Sequence, residues 1–338
     1  MSENFEPINP ELVPKKKLRS GDEIPAIGLG TFGSDFYSKE EIAEAVKDAI
    51  RLGYRHIDCA EVYMNEKEIG QAIAEVIKEG TVKREDLWIT GKVWNNHHRE
   101  VEKACRKSLE DLGIGYFDLY LVHWPFPNHH APGAPPDARN PDSKPFSVDE
   151  FMDTWKQMEA LVEKGLTKNI GTSNMTIAKF EATLPHMRIL PAANEMELHP
   201  CFQQPELFNY VVEKGMQPIG YSPIGSPKRP ERDRTDQDAV DIEHPIVVKI
   251  AERLSVHPAI VCIKWAIQRG QIPIPFSVHR SKYYSNLANA IKDPLTEEEM
   301  EEMKKVDCNS RLIKGQVFLW EGARGWEDLW DLDGKIAQ

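Results

Sequence analysis

The chain has 338 residues, of which 41% are hydrophobic and 28% charged, with a formal net charge of -12. That length can bury a large core as one barrel or as two modest domains. The acidic balance argues against non-specific nucleic-acid binding and against attachment to anionic membranes. No apolar run approaches spanning length, and five scattered cysteines without Cys-x-x-Cys spacing suit a reducing compartment.

Residues 1–14 read as a polar leader without a targeting pattern, so the expected location is the cytoplasm. Ser20-Gly21-Asp22, between two short extended pieces, predicts a β-hairpin between Lys15 and Leu29. An alternation then begins. Apolar strand-like runs end at 28–31, 57–58, 91–92, 122–123, 172–174, 193–195, 220–221 and 276–277. Amphipathic helical patterns lie between them, among them 39–51, 66–78, 100–112, 148–164, 204–214 and 245–254. The first helix opens on a capping box, Ser38-x-x-Glu41.

Short buried strands separated by helices imply crossover βα units and a parallel sheet. Eight such units predict an α/β fold of the (β/α)8 TIM-barrel type, a single domain over 15–310 with an N-terminal hairpin and long loops at its C-terminal face. Those loops are 125–146 and 226–243; residues 311–338, with Phe318, Trp320, Trp326 and Trp330, read as a tail on the pocket rim.

Gly28-Leu29-Gly30-Thr31-Phe32-Gly33 matches the dinucleotide fingerprint G-x-G-x-x-G, which needs a helix opening on its last glycine. Here the helix cap waits until Ser38, so these glycines read as a tight strand exit. His97-His98 and His129-His130 lack any metal-ligand spacing and read as exposed loop residues; no metal is expected. By contrast, Asp58, Tyr63, Lys92 and His123 all fall at or just after the C-terminal ends of strands, the face that carries barrel active sites. A phenol beside an ammonium group becomes a usable proton donor near neutral pH.

From Lys17 to Arg311 the chain resembles the aldo-keto reductase family. The likeness rests on Gly53–Gly70, Lys92, His123-Trp124-Pro125, Gly171–Asn174, Leu198–Pro200 and Tyr221–Ser226, in that order. It implies reduction of aldehydes or ketones to alcohols by hydride transfer from NADP(H), with NAD(H) also open. In that scheme Tyr63 gives the proton, Lys92 lowers its pKa, Asp58 holds the lysine and His123 orients the carbonyl. The resemblance further implies that Tyr221 stacks on the nicotinamide, Ser173, Asn174 and Glu195 meet its carboxamide, and Ser222 and Ser226 reach the pyrophosphate. Gly30, Thr31 and Ile224 line the same groove, while Ser277, Lys282 and Asn286 form its adenosine-phosphate end. Phe32, Trp94 and Trp124 should wall the substrate pocket, with Arg311 or Lys314 available to an anionic group.

Two departures from the family pattern stand out. Glu195 occupies a position where the family commonly has Gln, which should favour the positively charged oxidised cofactor. Phe276, Gly33 and Lys228 stand where NADPH-gripping members often place two lysines and an aspartate, which predicts looser binding and relaxed NADP preference, with Lys282, Arg280 or Lys228 left to meet a 2′-phosphate. The alternatives are an NAD-linked alcohol or polyol dehydrogenase working mainly in oxidation, and a non-catalytic member of the family. The expected partners are a small carbonyl or alcohol substrate, neither nucleic acid nor membrane, in a monomer or small homo-oligomer.

Overall fold

Strands β1 (Lys15–Lys17) and β2 (Glu23–Pro25) pair antiparallel, Lys15 opposite Pro25 and Lys17 opposite Glu23, around a turn in which Gly21 sits at φ 96°. Leu18 and Ile24 of this hairpin join Trp88, Leu119, Ala193, Ile219 and Ile272 in one apolar cluster inside the barrel. The hairpin thus plugs the end at which the strands begin. The computed structural model describes residues 5–33, 36–127, 142–226, 235 and 238–338.

Eight parallel strands follow, each bonded to the next in chain order. They are β3 (Leu29–Gly30), β4 (His56–Asp58), β5 (Trp88–Val93), β6 (Phe117–Val122), β7 (Thr167–Ser173), β8 (Ala193–Glu197), β9 (Gln217–Tyr221) and β10 (Ile272–Pro273). The Gly28 and Gly30 amides donate to the Pro273 and Pro275 carbonyls, each at 3.0 Å, so the first strand meets the last and the barrel closes. A Cβ on Gly30 would lie 2.9 Å from the Ile274 carbonyl oxygen. Only glycine allows that approach.

The eighth strand corrects one expectation: it stops at Pro273 rather than at 276–277. Pro273 and Pro275 have no N–H to donate, so after Ile274 N bonds Gly220 O at 3.1 Å the ladder with β9 runs out.

The outer layer comprises α1 (Lys39–Leu52), α2 (Glu66–Lys78), α3 (Val101–Leu112), α4 (Val148–Glu163), α5 (Ile177–Thr183), α6 (Pro205–Glu213), α7 (Pro245–Leu254), α8 (Pro258–Arg269), α9 (Arg280–Ala290) and α10 (Glu297–Lys304). In α1, Ser38 Oγ accepts from Glu41 N at 3.2 Å and Glu41 Oε2 from Ser38 N at 2.8 Å, while Gly53 ends the helix at φ 119°. Ile42, Val46, Ala49 and Ile50 form its buried stripe. Each large aliphatic side chain there contributes about 1.5–3 kcal/mol, and loss of the cap would cost about 1 kcal/mol.

The leader packs on this shell: Ile8 N bonds Leu52 O at 2.9 Å and the Phe5 ring lies 4.8 Å from that of Tyr284. The tail docks at the other end through Phe318, Leu319, Trp320 and Trp330 against Trp124 and Phe126. A buried ion pair at 2.5 Å, Lys179 to Asp331, holds it there, and Lys179 Nζ also donates to Leu329 O at 2.9 Å. Among the described residues no helix is long and apolar enough to cross a membrane.

Candidate active site

Parallel strands deliver their C-terminal residues to one face, and the four chemistry-bearing residues arrive there from three neighbouring strands. Asp58 ends β4, Lys92 is the penultimate residue of β5, and His123 follows β6 with its amide bonded to Val93 O at 3.2 Å. Tyr63 lies in a single 3-10 turn, Glu61–Tyr63, just past β4. Two bonds brace this corner: Thr31 Oγ1 donates to Asp58 O at 2.8 Å and Asn65 Nδ2 to Thr31 O at 2.9 Å.

Lys92 is the hub. Its ammonium group donates to Asp58 Oδ1 and reaches Cys59 O at 3.2 Å, Tyr63 Oη at 3.4 Å and Glu195 Oε1 at 3.4 Å. Lys92, Asp58 and Glu195 are all essentially buried. Burial alone would lower the lysine pKa, but Asp58 and Glu195 outweigh it and hold Lys92 well above its usual range. For Tyr63 the balance is different from the simple expectation. Burial raises its pKa and Asp58 and Glu195 add to that; Lys92 opposes them without overcoming them. The phenol is therefore firmly protonated at rest, and the ammonium acts by reducing the cost of losing that proton.

Burial, reinforced by Lys92, keeps His123 well below the usual imidazole range, so it is a neutral ring. Its ring stands edge-on to Tyr63, centroids 5.8 Å apart, and to Trp94 at 5.1 Å. Among the described residues, His123 Nδ1 has no hydrogen-bond partner. A phenol donor, a neutral imidazole and a buried cation on one face form an arrangement able to protonate a carbonyl oxygen.

Along the groove beside them, Asn174 takes a left-handed backbone conformation at φ 59°, with Nδ2 donating to His123 O at 2.9 Å and to Ser173 Oγ at 3.2 Å. Its Oδ1 accepts from Tyr221 Oη at 2.8 Å, which fixes that ring. Ser222, Gly225 and Ser226 have φ of 51°, 70° and 39°, and Ser226 Oγ bonds Ser222 Oγ at 2.8 Å. Left-handed residues of this kind turn backbone N–H groups into an anion-binding concavity. Half-buried Ile224 packs beside it against the core.

At the far end Ser277 Oγ accepts from His279 N at 3.1 Å, Lys282 is exposed and Asn286 half-buried. Arg280 pairs with Asp48 at 3.2 Å, which engages it away from the groove. A Cβ on Gly33 would fall 2.1 Å from the Phe276 ring, so these two positions are filled by one another. Lys228, His129 and His130 lie outside the described residues.

Of the residues expected to wall the substrate pocket, Phe32 is half exposed and 5.1 Å from the Tyr63 ring, while Trp94 and Trp124 meet Phe318 at 5.9 and 4.6 Å. Arg311 is not on the open rim. It is buried, its guanidinium 3.6 Å from the Trp330 ring and 4.5 Å from that of Phe202, and it donates to Gln204 Oε1 at 3.1 Å. Lys314 gives its carbonyl to Trp330 Nε1 at 2.8 Å.

His98 corrects another expectation. It is buried, and its carbonyl accepts from Thr154 and Gln157 of α4, while His97 Nδ1 pairs with Glu61 at 2.7 Å. The Cys59 carbonyl as a ligand of Lys92 gave no signal in the sequence. Nor did the charge cluster in which His199 lies between Asp241 at 2.9 Å and Glu197 at 3.1 Å. Glu197 also accepts the Leu312 and Ile313 amides at the root of the tail. Glu197 is only two residues from His199, but Asp241 is 42 away, and that remote partner is hidden from local pattern reading.

Comparison with known proteins finds relatives over most of the chain. Residues 26–307 match the aldo/keto reductase family. An aldo/keto reductase of Synechocystis sp. is 39% identical over 321 residues, covering 93% of this chain and 95% of that one. Aldo-keto reductase family 1 member A1 of Gallus gallus is 40% identical over 300 residues, covering 88% and 89%. The crystal structure of a Bombyx mori aldo-keto reductase in complex with NADP superimposes with a TM-score of 0.78 at 32% identity, covering 89% of this chain and 95% of that one.

Proposed function

The chain belongs to the aldo/keto reductase family, and from that premise we propose that it reduces aldehydes and ketones to alcohols with NADP(H), Tyr63 being the proton donor. The observation that carries this reading is the meeting of Tyr63 Oη and Lys92 Nζ at 3.4 Å beside neutral His123 on the strand-end face. The groove suits a dinucleotide. The Ser222–Ser226 turn can cradle phosphate oxygens, and the buried Glu195 Oε2, which has no donor among the described residues, can accept from a carboxamide NH2.

A bound nicotinamide supplies the hydride. Tyr63 passes its proton to the carbonyl oxygen as charge builds there, and Lys92 stabilises the phenolate that remains. Asp58 holds Lys92 in place. His123 and Trp94 position the carbonyl, and the aromatic wall selects apolar-faced substrates.

At the adenosine end Arg280 is engaged by Asp48, and the Gly33–Phe276 contact supplies no cation. This supports a loose grip and use of NAD(H) as well as NADP(H). Glu195 beside the ring favours one second reading, a dehydrogenase working mainly in alcohol oxidation.

Absorbance of the reduced nicotinamide, followed with a panel of aldehydes and of alcohols under NADPH and NADH, tests these readings together. Aldehyde-dependent oxidation of either cofactor is expected, with the kcat/KM ratio between cofactors within about tenfold, as loss of one phosphate contact implies. Cofactor binding without turnover of any aldehyde or alcohol would contradict the reading.

A further inference from the structure

Lys92 has three N–H donors, but four oxygens surround it: Asp58 Oδ1, Cys59 O, Tyr63 Oη and Glu195 Oε1. Two of the four belong to carboxyl groups, and both are buried, at 1% and 2% exposure for Asp58 and Glu195. One cation thus faces two potential anions in a dry site, where an unpaired charge is costly. The remaining oxygens sharpen the point. Asp58 Oδ2 and Glu195 Oε2 are buried and neither receives a hydrogen bond from a donor among the described residues, although the two carboxyl groups lie within hydrogen-bonding reach of each other. Two carboxylates cannot bond one another. A carboxylic acid and a carboxylate can.

We propose that Glu195 carries a proton at rest and acts as the proton reservoir of the site, replenishing Tyr63 through Lys92 and ending as an anion beside the positively charged nicotinamide. This rests on the proposed reductase reading. After Tyr63 has given its proton to the substrate oxygen, one N–H proton of Lys92 moves to the Tyr63 phenolate; the Glu195 carboxyl group then turns its O–H from Asp58 to Lys92 Nζ, 3.4 Å from Oε1, and passes the proton there. Tyr63 is again a phenol, Lys92 again an ammonium, and Glu195 is a carboxylate. The substrate has gained a hydride and a proton, and no other reactant is needed. Loss of the oxidised cofactor then lets Glu195 recover a proton from solvent.

The surroundings assign the proton to Glu195. Burial first, then Asp58, push its pKa well above the carboxylate range, and Lys92 offsets only part of this. Asp58 faces it from β4, Lys92 from β5 and Tyr63 from the turn after β4. From β9, Tyr221 faces it as a phenol whose own pKa is well raised. From β7 the residue in register is Ser173, which does not titrate. His123 is neutral. Among the described residues, Lys92 is the cation in ion-pair contact with Glu195.

The test is proton release on cofactor binding, measured in weak buffer with a pH indicator, on the intact enzyme near neutral pH. NADP+ should release close to one proton per site and NADPH essentially none. Linkage then requires the ratio of oxidised to reduced Kd to change by up to tenfold per pH unit. Glu195→Gln should bind both cofactors, lose the proton release and show a flat ratio. Tyr63→Phe should keep the release, which separates Glu195 from the phenol as its source. Equal release by wild type and Glu195→Gln, or loss of release in Tyr63→Phe alone, would overturn the proposal while leaving the reductase reading intact. Failure of wild type to bind either cofactor would instead remove the reading on which it rests.

Discussion

Replacing Lys92 with Met removes the one cation among the described residues that is hydrogen-bonded to the Tyr63 oxygen, at 3.4 Å, and keeps most of the buried volume. A unit charge at that distance interacts with a phenolate by about 5 kcal/mol at an effective dielectric constant of about 20. Each 1.36 kcal/mol corresponds to one pKa unit, so proton loss from Tyr63 becomes harder by roughly three to four orders of magnitude. The expectation is a kcat for aldehyde reduction lowered about a thousandfold, with a much smaller change in KM. Removing one partner of a buried pair also costs about 3–5 kcal/mol of stability, because Asp58 is left without its cation. The double variant Asp58→Asn/Lys92→Met should therefore recover much of the melting temperature without recovering turnover. Steady-state kinetics at saturating cofactor, beside thermal denaturation, read both effects. A kcat loss below tenfold in folded Lys92→Met would refute the role assigned to the ammonium group.

Two further outcomes concern the structure around the site. His199 is buried, which disfavours its charged form, but Asp241 and Glu197 outweigh this and raise its pKa from 6.5 to about 9. A raised folded-state value means that its stabilisation is complete below 6.5 and is lost as pH rises through about 9; the size is about 3 kcal/mol. The stability gap between wild type and His199→Gln in urea should narrow by about that amount from pH ~6 to pH ~10, whereas a constant gap would contradict the charged state. Lys179→Met breaks the buried pair with Asp331 and should cost about 3–5 kcal/mol, loosening the tail so that limited proteolysis cuts after Arg311. Lys179→Met/Asp331→Leu should be restored toward wild type, and equal cutting of all three proteins would refute the docking role.

Much of this was legible in the residues because the signals are local. Asp58, Lys92 and His123 are polar residues terminating apolar runs, and in a parallel barrel such positions share a face. The bounds of α2 and α7 coincide with the sequence patterns, and Ser38 with Glu41 marks the start of α1 as expected. What was not legible depends on partners remote in the chain. The end of β10 follows from prolines that cannot donate, combined with glycines 245 residues earlier that approach closely enough to donate instead. His98 reads as polar loop, yet α4 covers it. In the sequence alone Glu195 reads as a negative charge. Only its placement against both Asp58 and Lys92 reveals that one cation serves two carboxyl groups.

In the proposed mechanism Tyr63 gives the proton while the rest of the site only prepares it to do so. Tyr63→Phe keeps the ring beside Phe32 and His123 and removes a single oxygen, so it tests this most directly. With reduced cofactor at saturation, aldehyde turnover should fall by at least about a thousandfold, in the upper range of general-acid contributions, while the cofactor Kd from fluorescence titration stays within about threefold, since no cofactor contact is assigned to the hydroxyl. Turnover within tenfold of wild type in Tyr63→Phe, with cofactor binding intact, would contradict the account.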